Sequence, residues 1–167
     1  MSCICEKKED EREPLGYEPV ERSAIVAAAR SAIGTRFLHQ GRSLNTGVDC
    51  VGLCIYVIQA CSIRTIYDIE SYKRTPSAST LREYLDKNLA EIPLGEALPG
   101  DIILMRLGGA KPRHVGIIVS DSTDRAKGIE PSMVHALSTP SVKRVIEQPL
   151  SKYSAWFTAA FKVPGAI

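Results

Sequence analysis

A thiol attacks a carbonyl only as its thiolate, and an unperturbed cysteine titrates near ~8.5. Two neighbours lower that value: the N-terminus of a helix and an imidazolium. The chain carries five cysteines, Cys3, Cys5, Cys50, Cys54 and Cys61. Cys50 directly follows Asp49, a strong N-cap type, at the head of an apolar run, which places it in the first turn of a helix. Cys54 and Cys61 lie deeper in that run and read as apolar packing, while Cys3 and Cys5 sit in a charged tail. An odd count without an evenly spaced framework indicates reduced thiols.

A nucleophile of this kind needs a base, and the chain has three histidines, His39, His114 and His135. His114 opens the run His114-Val115-Gly116-Ile117-Ile118-Val119, where alternation puts His114, Gly116 and Ile118 on one face. His135 shares a face with Met133 and Leu137. Pairing of these runs as a hairpin across the Asp121–Pro131 loop brings both imidazoles to one face, as a general base and a third group that orients it. Gly116 leaves room there for close approach. Each residue also has a structural reading, since a strand histidine or a helix-start cysteine is commonly inert, and residue types alone leave both open. A metal site is a further alternative, because Cys50 and Cys54 have the i, i+4 spacing of one helical face, although other ligands are not clustered nearby.

The elements that position these groups follow from patterning. Ile25, Val26, Ala29 and Ile33 recur at helical spacing, with Pro19 ahead and Gly34 as a stop, and predict a first helix. Residues 35–48 read as a loop containing Gly41, Asn45 and Gly47. The apolar run from Cys50 to Cys61 suits a buried helix by its length, against the pull of its β-branched residues. Residues 62–78 look irregular, and Thr80 to Glu83 has capping-box spacing ahead of a helix carrying Leu81, Tyr84, Leu85 and Leu89. Beyond the Pro99-Gly100-Asp101 turn come β-rich runs at Ile102–Leu107, His114–Ser120, Met133–Leu137, Val142–Glu147 and Ala155–Val163, as in an antiparallel meander. Helices first and strands afterwards make the class α+β.

With 167 residues, 44% apolar and 24% charged, the chain suits one compact globular domain over residues 19–167, behind a charged and poorly ordered tail at 1–18. A net charge of +2 with no basic run argues against a nucleic-acid partner. No stretch approaches the ~20 apolar residues of a membrane span. The charged start has no apolar core of a cleavable signal, so synthesis in a cytoplasm without secretion is expected.

The segment Gly34-Thr35-Arg36-Phe37-Leu38-His39-Gln40-Gly41, followed by Gly47-Val48-Asp49-Cys50-Val51-Gly52-Leu53, resembles the NlpC family of peptidoglycan cysteine peptidases, and within it the phage-tail and prophage branch. Pro99-Gly100-Asp101-Ile102-Ile103-Leu104, Arg113-His114-Val115-Gly116-Ile117 and Val134-His135-Ala136 continue the pattern in order. The likeness runs from about Val20 to the C-terminus.

The resemblance implies a minimal papain-like fold, its N-terminal helices packed on a small antiparallel sheet. It implies Cys50 as nucleophile, His114 as base and His135 as the group that orients it, with no cofactor and no metal. The implied activity is cleavage of cell-wall stem peptides between D-glutamate and the following diamino acid through a Cys50 thioester. Asp49 would help hold the free amine of the substrate's first alanine, and Phe37, Arg36 and His39 are further candidate substrate contacts. Two departures stand out: Val51 where many members have Ser, and Phe37 where a Tyr is often found. The implied partners are the stem peptide and phage or phage-like tail proteins, with delivery to the wall or periplasm in a tail. Another amide or acyl-transfer substrate, or a silent tail-associated binding module, are the alternative readings.

Overall fold

The computed structural model describes residues 18–64, 78–121 and 128–167. Nearly all of the expected tail at 1–18, with Cys3 and Cys5, most of the irregular 62–78 stretch and the middle of the Asp121–Pro131 loop lie outside the described residues.

The first helix, α1 (Arg22–Ser31), buries Ile25 and Ala29, and Gly34, at φ +91°, turns the chain out of it. Residues 35–48 are more ordered than the loop the sequence predicts. Gly34 and Phe37 donate backbone hydrogen bonds to Val145 and Lys143, and Val145 donates to Thr35. The chain then forms a two-stranded ribbon, β1 (Arg42–Ser43) with β2 (Gly47–Val48). Apolar periodicity is too short here to signal strands; backbone pairing of the two segments with each other makes them.

The next element is the helix α2 (Cys50–Ala60), as its length predicts. It is apolar nearly all round because most of its surface is covered, leaving Gln59 and Ala60 exposed at its end. Val51, Leu53, Cys54, Ile55, Val57 and Ile58 are buried against α1, the ribbon and the sheet. Full burial of each such side chain stabilises by about 1.5–3 kcal/mol, which outweighs the weaker helix propensity of the β-branched residues. The third helix, α3 (Ala78–Asn88), begins two residues before the expected cap at Thr80, so that residue lies inside the helix.

Six strands form one antiparallel sheet: β3 (Ala90–Ile92), β4 (Ile102–Met105), β5 (His114–Ser120), β6 (Ser132–Ser138), β7 (Lys143–Pro149) and β8 (Phe157–Lys162). Their spatial order is β3-β8-β4-β5-β6-β7. Strands β4 to β7 are the expected meander, but β8 does not continue it. After two short 3₁₀ turns at Leu150–Lys152 and Ser154–Trp156, the chain returns to pair with β4, and the unforeseen β3 pairs with β8. The placement matches side-chain faces: Ala159, Phe161 and Val163 join the helix-side core with Ile102 and Leu104.

Alternation divides the sheet into two environments. Val115, Ile117, Val119, Val134, Ala136 and Val145 meet the helices. A smaller cluster of Ile103, Met105, Ile118, Met133, Ala160 and Tyr153 lies on the opposite face. Two ion pairs tie α1 to the sheet side. Arg22 donates to the Asp101 carboxylate and to the Pro99 carbonyl, both at 2.9 Å, and Arg30 makes a two-pronged contact with Glu147 at 3.0 and 3.1 Å. Asp101 is fully buried and also accepts from the Leu98 N–H, so the Pro-Gly-Asp turn is an anchor for α1.

One contact controls where α2 begins. A Cβ added at Gly52 would stand 1.9 Å from the Gly41 carbonyl oxygen, and one at Gly41 would stand 2.1 Å from the Gly47 oxygen. Both obstacles are backbone. Gly52→Ala therefore cannot be absorbed by a side-chain rotation, and a loss of about 3 kcal/mol or more in urea unfolding is expected. Unchanged stability would show that the ribbon yields freely.

Candidate active site

Asp49 caps α2 from an extended backbone conformation, its Oδ1 accepting from the Gly52 N–H at 2.9 Å. Its other oxygen, Oδ2, accepts from the Gln40 N–H at 2.7 Å. The Arg42 guanidinium and the His39 ring each stand 3.7 Å from this carboxylate, which is itself buried. One side chain thus closes the helix end and fastens the preceding loop to it.

Cys50 follows, half-buried, in the first turn. It lines a cleft of about 280 Å³ together with Phe37, His39, Asp49, Arg113 and His114, and residues 136–139 close one side. A second hollow of about 590 Å³, running to Lys143, shares Phe37 and His39 with it. Arg36 lines neither: its Nε donates to the Thr46 carbonyl. Of the seven residues singled out from sequence, five line this cleft, His135 stands buried behind His114, and Arg36 does not reach it.

The histidines meet as strand pairing predicts. β5 and β6 pair with Ile117 opposite Val134, which sets Gly116 across from His135 and puts the two imidazoles on the face away from the helices. His114 Nε2 lies 3.0 Å from His135 Nδ1, with the rings edge to face. Gly116 makes room for this contact in a specific way: a Cβ there would come 2.9 Å from Met133 Sδ and 3.4 Å from His135 Cβ. The space it leaves is filled by the protein's own side chains.

Two neighbours of His135 were missed from sequence. Its Nε2 stands 3.3 Å from Gln148 Oε1, and the Tyr153 hydroxyl donates to that same oxygen. Tyr153 also packs edge-on against the His135 ring at 5.0 Å. Strand parity could have found Gln148, because Met133 pairs with it and so places it on the His135 face. Tyr153 lies beyond a 3₁₀ turn and had no periodic signal. Arg113, next to His114, was also passed over, and its Nε is buried without a hydrogen-bond partner.

Burial governs the protonation of these groups. It pushes His114 down to about 3, aided by the adjacent His135 ring. It pushes His135 down to about 4; the Gln148 hydrogen bond opposes this and Lys152 adds to it. Cys50 corrects the sequence expectation of a lowered thiol. Burial first, and the Asp49 carboxylate second, push it up to about 12, against the backbone N–H groups of Val115, Val51 and Cys50 that draw it down. The helix start helps, but withdrawal from water wins. Cys54, deeper in α2, is also raised by burial. The resting pair is therefore a neutral thiol beside a neutral imidazole. Among the described residues, no three His, Cys, Asp or Glu side chains gather as a metal site.

The two rings make stability depend on pH. Above about 6.5, the ordinary histidine value, both folded and unfolded chains keep them neutral. Below it the unfolded rings take up protons that the folded rings refuse, so the native state loses stability as pH falls from about 6.5 to about 4 for His135 and on to about 3 for His114. Urea midpoints should fall across this window, and His114→Gln should flatten the slope. An equal slope in that variant would mean that the ring is not held neutral.

The family profile described as NlpC/P60 matches residues 34–160. A sequence comparison with curated proteins found no match. Among solved structures, the NlpC/p60 domain of the peptidoglycan hydrolase SagA is similar at TM-score 0.55 and 23% identity, over 84% of this chain and 97% of that one. An NlpC/P60 family protein from Bacillus cereus ATCC 10987 gives 0.60 and 17%, over 85% of this chain and 40% of that one. NlpC2 from Trichomonas vaginalis gives 0.60 and 16%, over 85% and 47%. The chain thus spans less than half the length of those last two proteins, and at these identities the likeness speaks for the fold. The α+β arrangement, with helices against an antiparallel sheet, is the papain-like fold they share. With the profile covering most of the sequence and the fold in agreement, this chain belongs to the NlpC/P60 family.

Proposed function

We propose that the protein hydrolyses peptidoglycan stem peptides at the bond between D-glutamate and the following diamino acid, through a thioester on Cys50. The observation that carries the reading is the convergence of Cys50, at the capped start of α2, and His114, held by His135, on one open cleft. Membership of the NlpC/P60 family supports a peptidoglycan-hydrolase activity of the cysteine type in general; the bond and the thioester are the finer proposal.

In this mechanism the substrate amide displaces water from the cleft and His114 takes the thiol proton as the sulfur attacks the carbonyl carbon. The carbonyl electrons move onto oxygen, where the Cys50 N–H at the helix start is the candidate donor. As the C–N bond breaks, His114 returns the proton to the leaving amine. Water, deprotonated by His114, then hydrolyses the thioester to a carboxylate and the free thiol. Because thiol and ring are both neutral at rest, proton transfer accompanies attack.

Substrate chemistry fits the cleft walls. Stem peptides carry free carboxylates, and Arg113 offers a guanidinium there whose Nε has no partner. Asp49, proposed to meet the substrate's terminal amine, faces the same cleft while holding the loop. Phe37 and His39 also line the cleft, and Arg36, outside the lining with its Nε engaged by the Thr46 carbonyl, is not a first choice. Among the described residues no helix is long and apolar enough to cross a membrane. Delivery to the wall as a component of a phage-like tail belongs to the proposal, supported by the sequence resemblance, and it fails if purified particles of the source lack the protein.

A muropeptide with a free N-terminal alanine should be cut after D-glutamate, as read by mass spectrometry, with Cys50→Ala inactive. Intact substrate under conditions where the protein is folded would discard the substrate assignment. Alkylation of Cys50 by iodoacetamide should keep accelerating above about pH 8, because the thiol is held up. A rate already level near pH 6 would reveal a resting thiolate instead.

A further inference from the structure

The hydrogen bonds behind the cleft form a chain with a direction. Gln148 Oε1 is an acceptor only, so His135 Nε2, 3.3 Å away, must carry a hydrogen and donate it. A neutral imidazole has one N–H, which leaves His135 Nδ1 bare. His114 Nε2, 3.0 Å from that nitrogen, must then be the donor. His114 in turn has its proton on Nε2, and Nδ1 is left as the lone-pair nitrogen. We infer that Gln148 and Tyr153 are positioning residues that set the tautomer of His114, through His135, so that Nδ1 is bare and ready for the Cys50 proton.

Tyr153 supplies the asymmetry on which this depends. An amide can present oxygen or nitrogen to a ring, and the two choices impose opposite tautomers along the chain. The Tyr153 hydroxyl donates to Gln148 Oε1, and because a phenol is a better donor than acceptor this contact favours the orientation with oxygen inward. Tyr153 is itself buried, edge-on to His135, so its direction is fixed by packing. Four groups face the His135 ring or act on it: His114, Gln148, Tyr153 and the Lys152 ammonium. Lys152 disfavours a second proton on His135, and a doubly protonated ring would donate from both nitrogens and reverse the arrangement at His114. The device works only while His135 stays neutral.

The inference rests on His114 being the base, and its test does not depend on knowing the substrate. Nitrogen NMR of the ¹⁵N-labelled protein near neutral pH should show both rings protonated at Nε2 and bare at Nδ1. Gln148→Leu should give His114 a mixture of tautomers, with kcat down about tenfold or more out of the ~10²–10⁴ that general base catalysis supplies, and KM little changed. Tyr153→Phe should give a smaller change in the same direction. Gln148→Glu keeps the acceptor but favours a charged His135, so it should retain the alkaline-side rate while the acid limb of the kcat profile moves to higher pH. A merely structural role would not produce that displacement. Wild-type His114 protonated at Nδ1 would overturn the inference, as would unaltered tautomers and rate in Gln148→Leu. A wild-type protein that cleaves no stem peptide would remove the proposed function instead, with the NMR result still deciding the tautomer.

Discussion

The site is built around a steric constraint: the backbone of the ribbon lies so close to the first turn of α2 that a hydrogen is all that fits at Gly52. That contact sets where the helix can start and therefore where Cys50 stands. Asp49 completes the joint electrostatically, one oxygen on the helix and the other on the loop. Because most of the helix behind it is buried in the core, the joint is held in place, and the position of Cys50 becomes a property of that core. The glycine and aspartate around Cys50 therefore have local physical reasons to be there, whatever further part Asp49 takes toward a substrate.

The opposite wall is fixed by strand register. A one-residue slip between β5 and β6 would turn one imidazole to the helix face, so the pairing that fills the core also selects the His114–His135 contact. Gly116 is the second place where a missing side chain matters, admitting Met133 and His135 across the strand. Helix end and sheet face are made by separate parts of the chain and meet only at the mouth of the cleft. Arg22 and Arg30, which bind α1 to the Pro-Gly-Asp turn and to β7, hold these parts in relation.

Burial has opposite consequences for Cys50 and His114, the two halves of the proposed reacting pair. It raises the thiol and lowers the imidazole, so both rest uncharged. A charged pair would be attacked by the same desolvation that shapes the cleft. Neutral rings need fewer compensating charges, but they need a defined tautomer, and this gives the polar groups behind His135 their importance. The cost appears in stability under acid conditions, where the unfolded chain accepts protons that the native one excludes.

Much of this was legible in the residues. Asp49 ahead of an apolar run announced the cap and the helix, and the alternation around His114 and His135 announced a shared face, because both signals are carried by neighbours in sequence. The ribbon at Arg42–Val48, the return of β8 to β4, and the strand β3 were not legible, since each depends on backbone pairing with residues far along the chain. The thiol's protonation was misjudged for the same reason: a helix start is visible in sequence, whereas the depth of burial opposing it is not. Sequence alone determined the fold class, the helix that begins at Cys50 and the identities of the paired histidines, all consequences of local pattern. Only the tertiary structure decided that Gln148 and Tyr153 stand behind them and that the pair is neutral, because hydrogen-bond direction and desolvation arise from what the folded chain brings together.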